Sequence, residues 1–308
     1  EPHPLASRNV LKHIIKLYEE AGLRAEVAPE VEFFLVHKNT DPDYELMPPK
    51  GRSGRREVAR MSFSIDAVAE FEDFVEDMYD FADEQALSVD TLIHENGAAQ
   101  LEINFNHGDP LDMADQVFVF KRTVRETAQR HNMYATFMAK PMQKEPGSAL
   151  HIHQSILSLA TGDNIFNGAD DQPTPELMHY IAGLQRYTPD LISFYAPNVN
   201  SYRRLAPDIS APINLSWGYD NRTTAFRVPD STPMNRRVEN RFPGADANPY
   251  LAIAASLASG LLGLEHKLQP TAPHQGTAND DNVEVARSLE EAVRRLNANT
   301  DLARVMGD

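Results

Sequence analysis

Four short stretches of this chain place polar or ionisable side chains two residues apart: Glu30/Glu32 in "PEVEFF", Gln100/Glu102 in "AQLEI", His151/His153 in "LHIHQ" and Glu239/Arg241 in "VENRF". A strand sends residues i and i+2 to the same face. One such pair alone is explained by an exposed strand face, but Glu30 leads directly into Phe33, Phe34 and Leu35, which are too apolar for an exposed edge. Four pairs on four separate strands suggest one shared cavity, and Glu95, which ends the strand before Glu102 in "IHENG", adds a further carboxylate.

The rest of the chain supplies helices for such a sheet. Val10, Leu11, Ile14, Ile15 and Tyr18 recur at helical spacing over 8–21, and 25–36 reads as a strand rich in β-branched and aromatic residues. Residues 66–86 predict one amphipathic helix with Asp66 as its N-cap. Strands are expected at "SVDTLIHE", "AQLEINF", "ATFMAKP", "ALHIHQSIL", "APINLSWG", "TTAFRV" and "RRVENRF", and helices over 112–131 and 174–195. Asn248-Pro249 forms an N-cap and N1 pair for a long apolar helix. Ser288 and Glu291 form a capping box. With no repeats and no clean linker, residues 1–308 read as a single α+β domain.

Composition narrows the function. A formal net charge of −16 lacks the basic footprint that phosphate backbones require, which excludes general nucleic-acid binding. There are no cysteines, so disulfides and Cys-based metal sites are excluded and a cytoplasmic location is expected. The longest apolar run, "NPYLAIAASLASGLLGLEHK", carries many small residues and reads as a buried helix rather than a membrane span. No secretory signal is visible, and the chain opens without Met, so its true start is expected upstream.

Glu30, Glu32, Glu95, Glu102, Glu239 and His151 make an oxygen-rich set with one imidazole, suited to Mg²⁺ or Mn²⁺ rather than zinc. So many carboxylates repel one another unless cations neutralise them, and five divide naturally over two metals. Arg203, Arg204, Arg222, Arg227, Arg236, Arg237 and Arg241 crowd into 203–241 of an acidic chain. Hard metals beside an arginine cluster imply phosphate chemistry, and the absence of a Walker sequence means the nucleotide is not held by a P-loop.

Seven landmarks in order, "PEVEFF", "HENGAAQLEINF", "ATFMAKP", "PGSALHIHQS", "NSYRRLAP", "DNRTTAFRVP" and "RRVENRFPGADANPYLAIAASLASGL", resemble the catalytic domain of the glutamine synthetase family along nearly the whole chain. The resemblance implies a curved antiparallel sheet flanked by helices, two or three Mg²⁺ or Mn²⁺ per site, ATP as co-substrate, and a homo-oligomer, commonly a dodecamer of two hexameric rings. It assigns Glu32, Glu95 and Glu102 to the metal on the substrate carboxylate side, and Glu30, His151 and Glu239 to the nucleotide-side metal. His153 matches the histidine near the phosphates, and Gly147 lies on the loop that grips glutamate. Arg204 matches the arginine on the α-carboxylate, Arg222, Arg227 and Arg237 those around ATP, and Arg241 one on the glutamate and acyl-phosphate side, with Arg222 also near the transferred phosphoryl group. The implied reaction phosphorylates the γ-carboxylate of glutamate and then lets an amine displace phosphate.

Two departures bear on the amine. Ammonia-using members carry a glutamate that helps bind and deprotonate ammonium; the register of "RRLAPDISAP" puts Ser210 there. A hydroxyl is a poor trap for NH₄⁺. Pro146 replaces an Asn before Gly147, and with "GRSGRR" and "WGYDNRTTAFRVP" this draws the chain toward the γ-glutamylpolyamine synthetase branch, whose members join glutamate to organic amines. Ammonia-dependent synthesis and a non-catalytic ring-forming relative are the alternatives. On this resemblance, the family's N-terminal β-grasp domain and C-terminal tail are expected to be absent from residues 1–308. Trp217, His94 and His131 read as structural, and Phe105 as a candidate for stacking on adenine.

Overall fold

The long strand at the centre of the fold is the one that carries "PEVEFF". The computed structural model describes residues 3, 5–41, 43–58, 60–168, 172–206, 211–278 and 285–307. In chain order the elements are α1 (Ser7–Glu20), β1 (Leu23–His37), α2 (Ile65–Ala69), α3 (Glu72–Glu84), β2 (Val89–His94), β3 (Gln100–Phe105), α4 (Pro110–Arg130), β4 (Met133–Thr136) and β5 (Leu150–Ser158). They continue with α5 (Pro175–Tyr195), β6 (Trp217–Tyr219), β7 (Phe226–Val228), β8 (Val238–Asn240), α6 (Pro249–His266), α7 (Leu289–Asn297) and α8 (Thr300–Met306). The strands form one sheet in the order β2-β3-β1-β5-β8-β7-β6, with β4 also paired to β1.

The architecture is the expected α+β sheet flanked by helices, with one difference. β6 and β7 pair in parallel, so a sheet expected to be antiparallel is mixed at that edge. Residues 220–225 double back between them, in a turn pinned by Asn221 Oδ1, which accepts from Thr223 N at 3.0 Å and Thr223 Oγ1 at 2.6 Å. The expected strand over "APINLSWG" shortens to Trp217–Tyr219. Asn214 claims the preceding backbone, accepting from Ser216 N at 3.1 Å and donating to Ala278 O at 2.7 Å, and such side-chain bonds compete with a ladder.

The helix expected over 66–86 is two. Ser64, not Asp66, caps the first, its Oγ accepting from Ala67 N. The break falls at Glu70 and Phe71 because the Glu70 carbonyl accepts from Arg52 N at 2.9 Å and its carboxylate from Ser53 N and Oγ. Asn248 caps α6 as expected, and Ser288 Oγ accepts from Glu291 N. Glu291 reaches back to Arg287 N rather than to its own N-cap.

Helices cover one face of the sheet. Val31, Phe33 and Leu35 of β1 and Leu101 and Ile103 of β3 are buried there, with Phe33 set edge-on to Phe74 and Phe120. Two polar side chains on this face bond to the helices: Gln154 Oε1 accepts from Tyr180 Oη at 2.7 Å, and Asn240 Nδ2 donates to Ser256 Oγ at 2.9 Å. α5 and α6 touch backbone to backbone, since a Cβ on Gly183 would lie 2.2 Å from Ser259 O. Among the described residues, no helix is long and apolar enough to cross a membrane.

Candidate active site

Strand parity leaves the other face to the even-numbered residues of β1. Register aligns Glu32 with Glu102 and Glu30 with His151, and places His153, Glu239 and Arg227 in one row across β5, β8 and β7. Glu32, Glu102, His151, His153 and Glu239 are all buried, Glu239 completely, although none faces the apolar core. Charges at this depth persist only when paired, protonated or bound to a cation.

Glu30 sits at the junction. Its Oε1 lies 2.8 Å from His153 Nε2 and its Oε2 3.3 Å from His151 Nδ1, which is also 3.5 Å from Glu239 Oε1. Glu239 is flanked by Arg241 at 2.6 Å and Arg227 at 2.8 Å, and Arg227 also reaches Asp220 at 2.8 Å. Arg237 Nε donates to His153 Nδ1 at 3.1 Å. Toward β3, Glu32 Oε2 accepts from Ala149 N at 2.8 Å and Gln100 Nε2 at 3.1 Å, while Asn104 donates to Glu102 at 3.3 Å.

Two sets have ligand atoms within 4.8 Å of one another: Glu30, Glu102 and His151, and Glu30, His153 and Glu239. Each offers carboxylate oxygen with a single imidazole, the chemistry of a hard divalent cation with a borderline nitrogen ligand. The sets cut across the partition that the family resemblance implies, because Glu102 falls with Glu30 and His151, and His153 falls with Glu239.

The electrostatics differ along the face. Burial and the nearby Glu95 push the Glu32 carboxyl up to about 8 against the pull of Arg204. Burial and the repulsion of Glu30, Glu32 and Glu95 raise Glu102 well above the carboxylate range, and burial also raises Glu95. At the other end burial works against ionisation of Glu239, but Arg241, His153 and His151 outweigh it and hold that group down to about 2. His153 and His151 likewise overcome burial to keep Glu30 well below its usual range. Burial and Arg241 depress His151 to about 4, so its charge acts on Glu30 and Glu239 only in acid and above that range it is a neutral imidazole with a lone pair to share. At the Glu32–Glu95–Glu102 end the pull of Arg204, Arg222 and Arg241 falls short of the cost of burial, a shortfall that a divalent cation would make up.

The arginines divide. Arg204 is buried, fixed by donation to Phe242 O at 2.7 Å and Arg241 O at 3.0 Å, and its stem packs on Gly147, where a Cβ would lie 2.8 Å from Arg204 Cγ. Asp246 steadies the short helix leading into Arg204 by accepting from Ser201 Oγ at 2.5 Å and Asn198 Nδ2 at 3.0 Å. Arg222 is exposed on the turn after β6, where its charge reaches Glu95. Arg203 is exposed and Arg236 is turned to Asn167 Oδ1 at 2.7 Å, away from the ligand set. Ser210 lies outside the described residues.

An open cleft of about 1130 Å³ begins at Glu30, His153 and Arg237 and runs out between Asn104, Ser155 and Asn235. Phe105 borders it but turns its ring into the core against Phe120, 5.3 Å away, so it is not free to stack on a base. Its odd number, shared with Leu101 and Ile103, already points it to the helices. Trp217 is buried and donates to Thr271 O, and His131 pairs with Asp77, both structural as expected. His94 is clamped between Glu57 and Glu95 O. Asp220, Asp246 and Glu57 escape sequence reasoning, since only tertiary contact reveals their partners; Gln100 is placed on the site face by the parity it shares with Glu102, but its bonds to Glu32 and Gly147 are not readable from sequence.

A sheet face of carboxylates, imidazoles and guanidinium groups beside an open cleft has the donor chemistry that could hold divalent cations and anions. The sequence matches the family profile described as glutamine synthetase, catalytic domain, over residues 4–308, and the chain belongs to that family. It is 38% identical over 270 residues to the gamma-glutamylputrescine synthetase PuuA of Escherichia coli (strain K12), covering 87% of this chain and 57% of that protein. It is 36% identical over 316 residues to a glutamate–isopropylamine ligase of Pseudomonas sp, covering 99% and 67%. A glutamine synthetase of Pyrococcus abyssi (strain GE5 / Orsay) is 36% identical over 272 residues, covering 88% and 59%. The chain therefore spans 57% to 67% of the length of these relatives. A solved structure titled GmaS/ADP complex-Conformation 1 shares the fold with a TM-score of 0.86 at 29% identity, covering 100% of this chain and 71% of that one.

Proposed function

We propose that this chain is the catalytic part of an ATP-dependent ligase that forms a γ-glutamyl amide from glutamate and an organic amine. The observation that carries the reading is the convergence of Glu30, Glu32, Glu102, His151, His153 and Glu239 on one buried sheet face with Arg227, Arg237 and Arg241. In the first step a γ-carboxylate oxygen of glutamate attacks the γ-phosphorus of ATP, and ADP leaves. In the second, the nitrogen of a neutral amine attacks the acyl carbon, and inorganic phosphate and a proton depart. A carboxylate is a poor electrophile until its oxygen becomes a leaving group, which is why ATP is required.

Arg204 and Gly147 orient glutamate, Arg241 faces its γ-carboxylate, and Arg222, Arg227 and Arg237 hold nucleotide phosphates, with His153 beside them. Two or three Mg²⁺ or Mn²⁺ ions on Glu30, Glu32, Glu95, Glu102, His151 and Glu239 would offset the carboxylate repulsion and charge on the phosphates. The cleft at Glu30, His153 and Arg237 suits the nucleotide. We take residues 1–308 as one catalytic domain of a cytoplasmic enzyme that assembles as a double hexameric ring, on the family resemblance.

Ser210 in place of the ammonium-binding glutamate, and the two amine ligases among the relatives, favour an organic amine. Phosphate release by the full-length protein, followed with glutamate, ATP-Mg and a panel of putrescine, isopropylamine and ammonium, tests this. The expected result is a kcat/KM for an organic amine above that for ammonium. Ammonium outperforming every amine would overturn the choice, a reading kept open by the glutamine synthetases among the relatives.

A further inference from the structure

Gln100 opens β3 two residues before Glu102 and is 1% exposed. Both amide protons are used: Nε2 donates to Glu32 Oε2 at 3.1 Å and to Gly147 O at 3.0 Å. Its Oε1 accepts from Gly97 N at 2.9 Å. One side chain therefore joins a carboxylate of the cation end, the turn that carries Glu95, and the loop packed on Arg204.

The same turn is tied twice more. Ala98 N donates to Glu145 Oε2 at 3.1 Å and Ala99 N to Glu57 Oε2 at 2.8 Å, so three consecutive N–H groups end on three side chains. Glu145 stands two residues before Gly147, which gives the turn and the glycine loop a second link. Close packing removes slack, because a Cβ on Gly97 would lie 2.6 Å from the Phe34 ring and 2.8 Å from Gln100 Oε1. A displacement of Glu32 or of the Glu95 turn is thus passed to Gly147 through hydrogen bonds with no free rotor between them.

We propose that Gln100 is a positioning residue that couples cation binding at Glu32, Glu95 and Glu102 to glutamate binding at Gly147 and Arg204, each ligand tightening the other. This rests on the functional reading above. Coupling of this kind is reciprocal and spans about 5–150-fold in affinity. Only an amide serves here. A leucine offers no donor, and an ionised glutamate would face the Glu32 carboxylate and the Gly147 carbonyl with lone pairs.

The test is calorimetric titration of Mn²⁺ into the full-length protein, with and without saturating glutamate and with no ATP. In the wild type glutamate should tighten Mn²⁺ by at least about fivefold. Gln100→Leu should weaken Mn²⁺ by about 10–100-fold, the usual cost of losing an outer partner of a metal ligand, and abolish the effect of glutamate. Gln100→Glu, which keeps the shape, should lose the effect as well and stands in if the leucine variant does not fold. Gln154→Leu removes a buried amide from the opposite face of the sheet and should keep the linkage. Wild-type linkage surviving in both Gln100 variants, or lost equally in Gln154→Leu, sinks the inference alone. Absence of the linkage in the wild type, or Mn²⁺ binding unaffected by Glu32→Ala, sinks the functional reading with it.

Discussion

Gly147→Ala adds one methyl group to the loop assigned to glutamate. The backbone accepts it, since Gly147 is not among the residues at positive φ, so the cost is steric. The new Cβ would sit 2.6 Å from Ala139 O and 2.8 Å from Arg204 Cγ, against an ordinary contact of 3.4 Å. Clearing the carbonyl requires about 0.8 Å of movement, and the loop is pinned on its other side by Gly147 O accepting from Gln100. Arg204, whose guanidinium is anchored to two backbone carbonyls, therefore moves with its stem. Misplacement on the scale of 1 Å costs about 10²-fold in rate, so kcat/KM for glutamate should fall by about that factor. Overpacking should cost about 1–3 kcal/mol of stability, read as a shifted urea midpoint with unchanged m-value. KM for ATP, assigned by the proposed function to the Glu30–His153–Arg237 end, should change by less than about threefold. Steady-state kinetics with each substrate varied separates the two effects. Stability lost with glutamate kinetics intact would refute the role of Gly147 and Arg204 in binding; neither changing would refute the packing itself.

Glu239→Gln leaves Arg241 against a neutral amide in a fully buried position, while Arg227 keeps Asp220, and should cost about 3–5 kcal/mol in urea unfolding of the metal-free protein. A loss below about 1 kcal/mol would mean that the arginines find other partners. Lys121 is buried with its Nζ donating to Ala245 O at 2.6 Å and Ala247 O at 3.0 Å, and burial, helped by Arg125, lowers it to about 8 from 10.5. Between those values the unfolded chain binds the extra proton, so this group makes stability rise with pH across that window and fall as pH drops toward 8. Lys121→Met should flatten that part of the stability profile, and an unchanged slope would contradict the assignment.

Parity made the site legible. Glu30, Glu32, Gln100, Glu102, His151, His153 and Glu239 share a face because strands repeat every two residues, a rule that operates on sequence alone. Even the error over Phe105 could have been corrected by the same rule. Contacts across sequence were not legible. Gln100 reaches Gly147, Arg227 reaches Asp220 across a turn, and Asp246 steadies the segment before Arg204; no periodicity encodes any of these. The break at Glu70 was hidden for the same reason, because the apolar stripe runs on through it while a distant loop takes the carbonyl. Strand β6 is shorter than its propensity predicts because propensity does not register a side chain such as Asn214 competing for the ladder.

The same residues that read as one ligand set are held in two different states of charge. Glu239 is neutralised within the chain by Arg227 and Arg241, so a cation approaching it competes with two guanidinium groups. Glu32, Glu95 and Glu102 are crowded together by burial, and a cation there competes with protons. Affinity at the second end should therefore climb with pH as those carboxyls deprotonate, while affinity at the first depends on an anion drawing the arginines away. Nucleotide phosphates, proposed to occupy the adjoining cleft, would be such an anion. On the proposed function, cation binding at Glu239 and nucleotide binding at Arg227 would thereby be linked by charge, much as Gln100 is proposed to link cation and glutamate by hydrogen bonds. The proposed function thus has the two ends of one sheet face answer to two different substrates.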